Sequence, residues 1–227
     1  IAELNQIRKF NKKKIVKGFT TNPSLMRKAG AKDYKKYSKS ILKICRIKPV
    51  SLEVFADNYY SIKKQAIKIN TWGKNVFVKI PIINTKNQFN SKLIGKLNSQ
   101  KIKINVTAVF TISQTKSLLK KLNKSSKTPL ILSVFAGRIA DTGIDPVKEI
   151  KKHIKICKKF KFIKILWASV REPFNLIQAE ETKCHIITIP PSILKKLSSF
   201  NKNLNNFSIE TVKGFYEDAK KLNYNLD

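Results

Sequence analysis

Seven short apolar runs recur along the 227-residue chain, at residues 15–22, 50–56, 75–81, 103–110, 130–135, 162–169 and 185–190. Between them, apolar residues return every three or four positions over 34–47, 59–69, 86–97, 113–122, 146–160, 173–182 and 192–197. Strand followed by helix, seven times over, predicts parallel strands joined by helical crossovers. No low-complexity linker interrupts the series, so residues 1–227 are expected to form a single α/β domain. An eighth strand, lying before Ile1, would complete a (β/α)8 TIM barrel. A last helix is expected over Ser208–Leu222, with Ser208 as its N-cap and Val212, Phe215, Tyr216 and Ala219 along one stripe. That stripe would either close the chain's own barrel or meet a second copy.

Alternation within the runs adds a direction. A parallel strand buried on both faces is normally apolar on both. Here one face carries polar groups near the C-terminal end of most runs. Ile102, Ile104, Val106 and Ala108 oppose Lys103, Asn105 and Thr107; Val76, Val78 and Ile80 oppose Asn75, Phe77 and Lys79. Leu52 and Val54 oppose Ser51, Glu53 and Phe55, while Thr20 pairs with Asn22 and Ser133 with Phe135. Polar groups converging on the C-terminal mouth of a barrel predict an active site there.

Lys79 stands out among 42 lysines because Val, Phe and Ile surround it in its strand. Such a lysine is either a desolvated amine free to attack a carbonyl or a side chain reaching out to water. Glu53, one of only 14 acidic residues, projects beside Ser51 and reads as a general acid/base or as a counter-ion for that lysine. Arg138 and Arg171 each follow a strand and a serine (Ser133 and Ser169), which suits phosphate binding or simple loop anchoring. His153 and His185 have no metal-ligand spacing and read as structural or surface residues. No GxGxxG or Walker loop is present, and neither a metal nor a cofactor is expected.

The formal net charge of +33 invites a nucleic-acid reading. Only five of the 47 basic residues are Arg, and the lysines are scattered, so a solvated basic surface without a specific nucleic-acid partner is expected. No apolar run approaches the roughly 18 residues of a membrane span, so no membrane partner is expected. Cys45, Cys157 and Cys184 show no CxxC spacing and read as free thiols of a reducing compartment, with Cys184 a small core residue.

Six strings, in order over nearly the whole chain, resemble the transaldolase family: Gly18–Leu25 (GFTTNPSL), Ser51–Asp57 (SLEVFAD), Asn75–Pro81 (NVFVKIP), Asn105–Phe110 (NVTAVF), Ser133–Gly143 (SVFAGRIADTG) and Trp167–Arg171 (WASVR). The resemblance implies a cofactor-free class I aldolase-type barrel enzyme in which Lys79 forms the Schiff base. Thr107 and Glu53 would hold a catalytic water. Asn22, Asn105 and Ser133 would bind the dihydroxyacetone unit, with Thr20 supporting the end of its strand. Arg138, Ser169 and Arg171 would bind the sugar phosphate. Glu53 and Phe135 stand where the related fructose 6-phosphate aldolases typically carry Gln and Tyr, which favours transaldolase proper. The family's general acid/base is an Asp on the first strand. The chain opens on a segment that resembles the stretch just after that motif, so this strand is expected to lie outside the sequence. A cytoplasmic homo-oligomer of the pentose phosphate pathway is the accompanying expectation.

Overall fold

The computed structural model describes residues 1–222. Its strands are β1 (Phe19–Thr20), β2 (Val50–Glu53), β3 (Val76–Pro81), β4 (Ile104–Val109), β5 (Leu130–Val134), β6 (Ile163–Trp167) and β7 (Ile186–Ile187), each inside one of the seven apolar runs. They form one sheet in chain order, and every neighbouring pair is parallel. β1 and β7 are not paired with each other. The sheet curls instead into an open barrel, and its ends approach closely enough for the Thr20 and Thr188 hydroxyls to hydrogen-bond at 3.0 Å. The amine nitrogen of Ile1 donates to the Thr20 carbonyl along the same seam (3.0 Å).

The helices are α1 (Leu4–Asn11), α2 (Pro23–Lys28), α3 (Tyr34–Ile44), α4 (Tyr59–Asn70), α5 (Ser91–Ser99), α6 (Ile112–Leu119), α7 (Ala136–Ala140), α8 (Pro146–Cys157), α9 (Asn175–Glu181), α10 (Pro191–Lys196) and α11 (Leu204–Lys221). Local chemistry starts many of them. Asp33, Asn58 and Asp145 accept backbone N–H groups at the starts of α3, α4 and α8, and Thr111 with Gln114 forms a capping box on α6.

Most of the core lies between the sheet's outer face and these helices. Val50, Leu52, Val76, Val78, Ile80, Ile104, Val106, Leu130 and Leu132 are fully buried there. Each such side chain contributes about 1.5–3 kcal/mol by leaving water. A second, smaller cluster of Ile131, Leu166 and Ala168, with Phe77, Phe135 and Ile186 against it, belongs to the opposite, concave face. The alternating strands thus make two different layers, one apolar and one mixed.

Several boundaries differ from expectation. The helix expected from residue 86 begins at Ser91, because Asn84 folds residues 84–88 into a turn by accepting from the Lys86 and Gln88 N–H groups. Asn87 takes a left-handed φ of 56° within that turn. The last helix begins at Leu204 and is capped by Asn203, not Ser208, four residues sooner than its apolar stripe suggested. Every described residue of that helix is exposed, Val212, Phe215 and Tyr216 by 61%, 68% and 59%, so it does not close its own barrel. Ala108 leaves the apolar face it was expected to share with Val106. The β4 register shifts between Val106 and Val109, Ala108 takes a φ of 56°, and Val109 is the residue fully buried.

His153 is fully buried on α8, with its Nδ1 2.8 Å from the Thr115 hydroxyl and its Nε2 unpartnered among the described residues. Burial is the largest influence on its pKa and lowers it to about 4, against a smaller upward pull from Glu149. The unfolded chain therefore binds a proton near pH 6.5 that the folded chain refuses until about pH 4. Stability contributed by the neutral imidazole is complete above pH 6.5 and falls by about 3 kcal/mol as pH drops to 4. Denaturant melts of the parent and His153→Gln at pH 7 and pH 4.5 should show a markedly smaller pH-dependent loss in the variant. Equal losses in both would refute the assignment.

Candidate functional site

Asn105 of β4 locates the centre of the site. Its side-chain amide donates to the Ser51 hydroxyl on β2 (3.0 Å), and its carbonyl accepts from the Ser133 hydroxyl on β5 (2.7 Å). Side chains on β2 and β4, with β3 between them, meet in this way on the concave face of a curled sheet. Lys79 is the β3 residue level with Asn105 and, on its other side, with Glu53. Its ammonium lies 3.0 Å from Glu53 Oε2 and donates to the Thr21 carbonyl at 3.2 Å. The lysine and glutamate side chains are only 10% and 14% exposed. Of the two readings open for Lys79, the one withdrawn from water holds, but as half of an enclosed ion pair rather than an amine alone among apolar groups. Thr107 shares this face one step nearer the mouth; its hydroxyl is buried and has no hydrogen-bond partner among the described residues.

A second cluster forms where β5 and β6 end. The Phe135 and Phe110 rings pack with centres 5.6 Å apart and planes tilted by 41°, and the Arg138 guanidinium lies 5.3 Å from the Phe135 ring centre. Ser169 takes a left-handed φ of 63° just past β6. Arg171 donates through Nε to Asp141 Oδ1 (3.1 Å) and through Nη2 to Oδ2. Gly137 makes this packing possible: a Cβ there would stand 1.6 Å from the Ser169 carbonyl oxygen.

The other sequence-predicted residues sit at the margin. Asn22 caps α2, its side-chain oxygen accepting from Leu25 N–H at 2.7 Å. Thr20 closes the seam with Thr188. Beneath that contact runs a largely apolar cavity of about 310 Å³, lined by Ile1, Phe19, Thr20, Ser51, Ile186 and Thr188 among others. Four contributors were not anticipated: Thr21, whose carbonyl holds Lys79; Ser51 as the partner of Asn105; Thr188; and Asp141. Ser51 was within reach, since it alternates with Glu53 on one face. Asp141 lies inside the Ser133–Gly143 string, but its bond to Arg171 spans 30 residues of sequence.

The family model described as Transaldolase/Fructose-6-phosphate aldolase matches residues 1–227.

This chain belongs to that family.

Curated relatives agree. A "Probable transaldolase" of Dehalococcoides mccartyi is 33% identical over 200 residues, covering 86% of this chain and 87% of the relative. Another from Sulfurihydrogenibium sp. is 36% identical over 200 residues, covering 87% and 86%. A third, from Phocaeicola vulgatus, is 30% identical over 225 residues, covering 98% of this chain and 96% of the relative. Membership of the transaldolase/fructose-6-phosphate aldolase family makes the chain an enzyme of the aldolase and transferase type, in keeping with an α/β fold of parallel strands curled towards a barrel. No described helix of this family member is long and apolar enough to cross a membrane.

Proposed function

We propose that this protein is a transaldolase, moving a dihydroxyacetone unit between sugar phosphates through a Schiff base on Lys79. The observation that carries the reading is the enclosed Lys79–Glu53 pair, level in the sheet with the Ser51–Asn105–Ser133 chain. An amine must lose a proton before it attacks a carbonyl, and in this reading Glu53, 3.0 Å away, receives it. Addition of Lys79 to the ketose C2 carbonyl and loss of water give the imine. The C3–C4 bond then breaks, its electron pair entering the protonated imine, so that an aldose phosphate leaves and an enamine remains on Lys79. The C4 hydroxyl gives its proton to a general base as this bond breaks, the part that the family resemblance gives to an Asp. The enamine adds to an aldehyde acceptor, and hydrolysis of the new imine frees the lysine. The Thr107 hydroxyl, without a partner among the described residues, is available to hold the water these proton transfers use. Asn105, Ser133 and Asn22 bind the three-carbon unit, while Arg138, Ser169 and Arg171 bind the phosphate. Sedoheptulose 7-phosphate with glyceraldehyde 3-phosphate, giving erythrose 4-phosphate and fructose 6-phosphate, is the reaction expected, as in the pentose phosphate pathway.

The test is glyceraldehyde 3-phosphate release from fructose 6-phosphate by the full-length protein, with and without erythrose 4-phosphate. Sustained release only with the acceptor is expected. Phe135, packed between Phe110 and Arg138, offers no hydroxyl to protonate the enamine. Phe135→Tyr is therefore expected to raise acceptor-independent release roughly tenfold or more. Sustained release without acceptor in the parent would instead make this a fructose 6-phosphate aldolase. Failure of any ketose phosphate to be trapped on Lys79 by borohydride would sink the aldol reading and reopen that of a noncatalytic basic protein.

A further inference from the structure

We propose that Asp141 is a positioning residue for phosphate binding, holding Arg171 so that its remaining N–H groups face an incoming phosphate. The inference rests on the phosphate role proposed for Arg138, Ser169 and Arg171, and it adds a residue with no place in that role.

Arg171 is fixed at three points. Its backbone N–H donates to the side-chain oxygen of Asn175 (2.9 Å), a buried residue whose own amide is held by Gln178. Its Cγ lies against Gly137, where an added Cβ would be only 3.1 Å away. Its guanidinium is gripped along the Nε and Nη2 edge by both oxygens of Asp141. Asp141 is itself placed by the fold, since its backbone N–H donates to the Gly137 carbonyl at the end of α7 (3.0 Å). A guanidinium has five N–H donors, and this grip uses two. Among the described residues both hydrogens of Nη1 and the second of Nη2 have no partner, forming a second edge of the fork that suits a phosphate.

Two effects of Asp141 oppose each other. Its negative charge repels a phosphate. Its grip removes rotamer freedom from a side chain that is 48% exposed and would otherwise lose that freedom on binding. The exposed position screens the repulsion, and the chain carries a net charge of +33, so orientation should dominate. The two effects predict opposite outcomes when Asp141 is replaced.

The experiment is calorimetric titration with inorganic phosphate at fixed ionic strength, using the parent, Asp141→Asn, Asp141→Ala, Arg171→Ala and the Asp141→Ala/Arg171→Ala double variant. Binding should weaken two- to threefold in Asp141→Asn, which keeps one acceptor oxygen, and about tenfold in Asp141→Ala. On the Arg171→Ala background, removing Asp141 should change nothing further. Unchanged or tighter binding in Asp141→Ala, an equal loss on the Arg171→Ala background, or no phosphate uptake by the parent would each overturn the proposal. Phosphate binding does not pass through the Lys79 imine, so its outcome is separable from that of the aldol reading. Where ketoses are trapped, Asp141→Ala should raise the half-saturating fructose 6-phosphate about tenfold. It should leave that of dihydroxyacetone, which has no phosphate, within twofold.

Discussion

Lys79→Ala should abolish both borohydride trapping of ketose phosphates and turnover, the latter by a thousandfold or more, on the order seen when a covalent nucleophile is removed. No other described lysine is paired with a carboxylate inside the sheet's concave face. Persistent turnover would dismiss Lys79 as the nucleophile. The substitution also leaves Glu53 nearly enclosed without its partner, which typically costs about 3–5 kcal/mol. A merely unfolded variant would look inactive too. Combining Lys79→Met with Glu53→Leu replaces both charges by apolar side chains of roughly similar volume. Neutralising a buried pair in this way is often neutral or stabilising, so the double variant should melt at or above the parent's temperature while remaining inactive. Inactivity in a well-folded double variant separates chemistry from stability.

Gly137→Ala should be the most damaging single-methyl change near the site. The new Cβ would lie 1.6 Å from the Ser169 carbonyl oxygen and 2.7 Å from its carbon, both backbone atoms that cannot swing aside. The β6 end or α7 must then move, at about 3 kcal/mol. Ser169 is already left-handed, and Arg171 lies against the same glycine, so the displacement should reach the proposed phosphate site. Chemical melts should show the loss of stability, and phosphate titration a loss of affinity. Gly214→Ala, whose Cβ meets nothing within 4 Å inside the exposed helix α11, is the control: it should leave phosphate affinity unchanged and, by favouring the helix, the melt at or slightly above the parent's. A parent-like melt for Gly137→Ala would mean that the ends of β5 and β6 pack more loosely than these distances require.

The contrast between these sites shows what was legible beforehand. The placement of Lys79, Glu53, Asn105, Thr107 and Ser133 on one face follows from alternation along each strand, because successive side chains point to opposite sides of a sheet. The seven strands were equally open to reading, since each is a short apolar run bounded by polar residues. Helix α8 was legible in its apolar spacing from residue 146, and the structure adds Asp145 as its cap and Pro146 in its first turn, both acting within a few positions. By contrast, α7 spans only five residues, too few for a helical repeat to emerge. The turn ahead of α5 depends on a single asparagine accepting two N–H groups, which no hydrophobic period records.

The sequence by itself determined the order and type of the strands, the apolar and polar face of each, and the motifs that identify the family. All of these depend on residues a few positions apart, where backbone geometry converts spacing directly into direction. Only the tertiary structure decided that Thr21 holds Lys79 across 58 residues, that Ser51 holds Asn105 across 54, and that Asp141 takes one edge of Arg171. It also decided the bulge that turns Ala108 away from its expected face and left β1 and β7 unpaired, with the Thr20 and Thr188 hydroxyls in contact across the seam. These contacts depend on strand register and sheet curvature, which arise when the whole sheet packs against its helices and which no local period encodes.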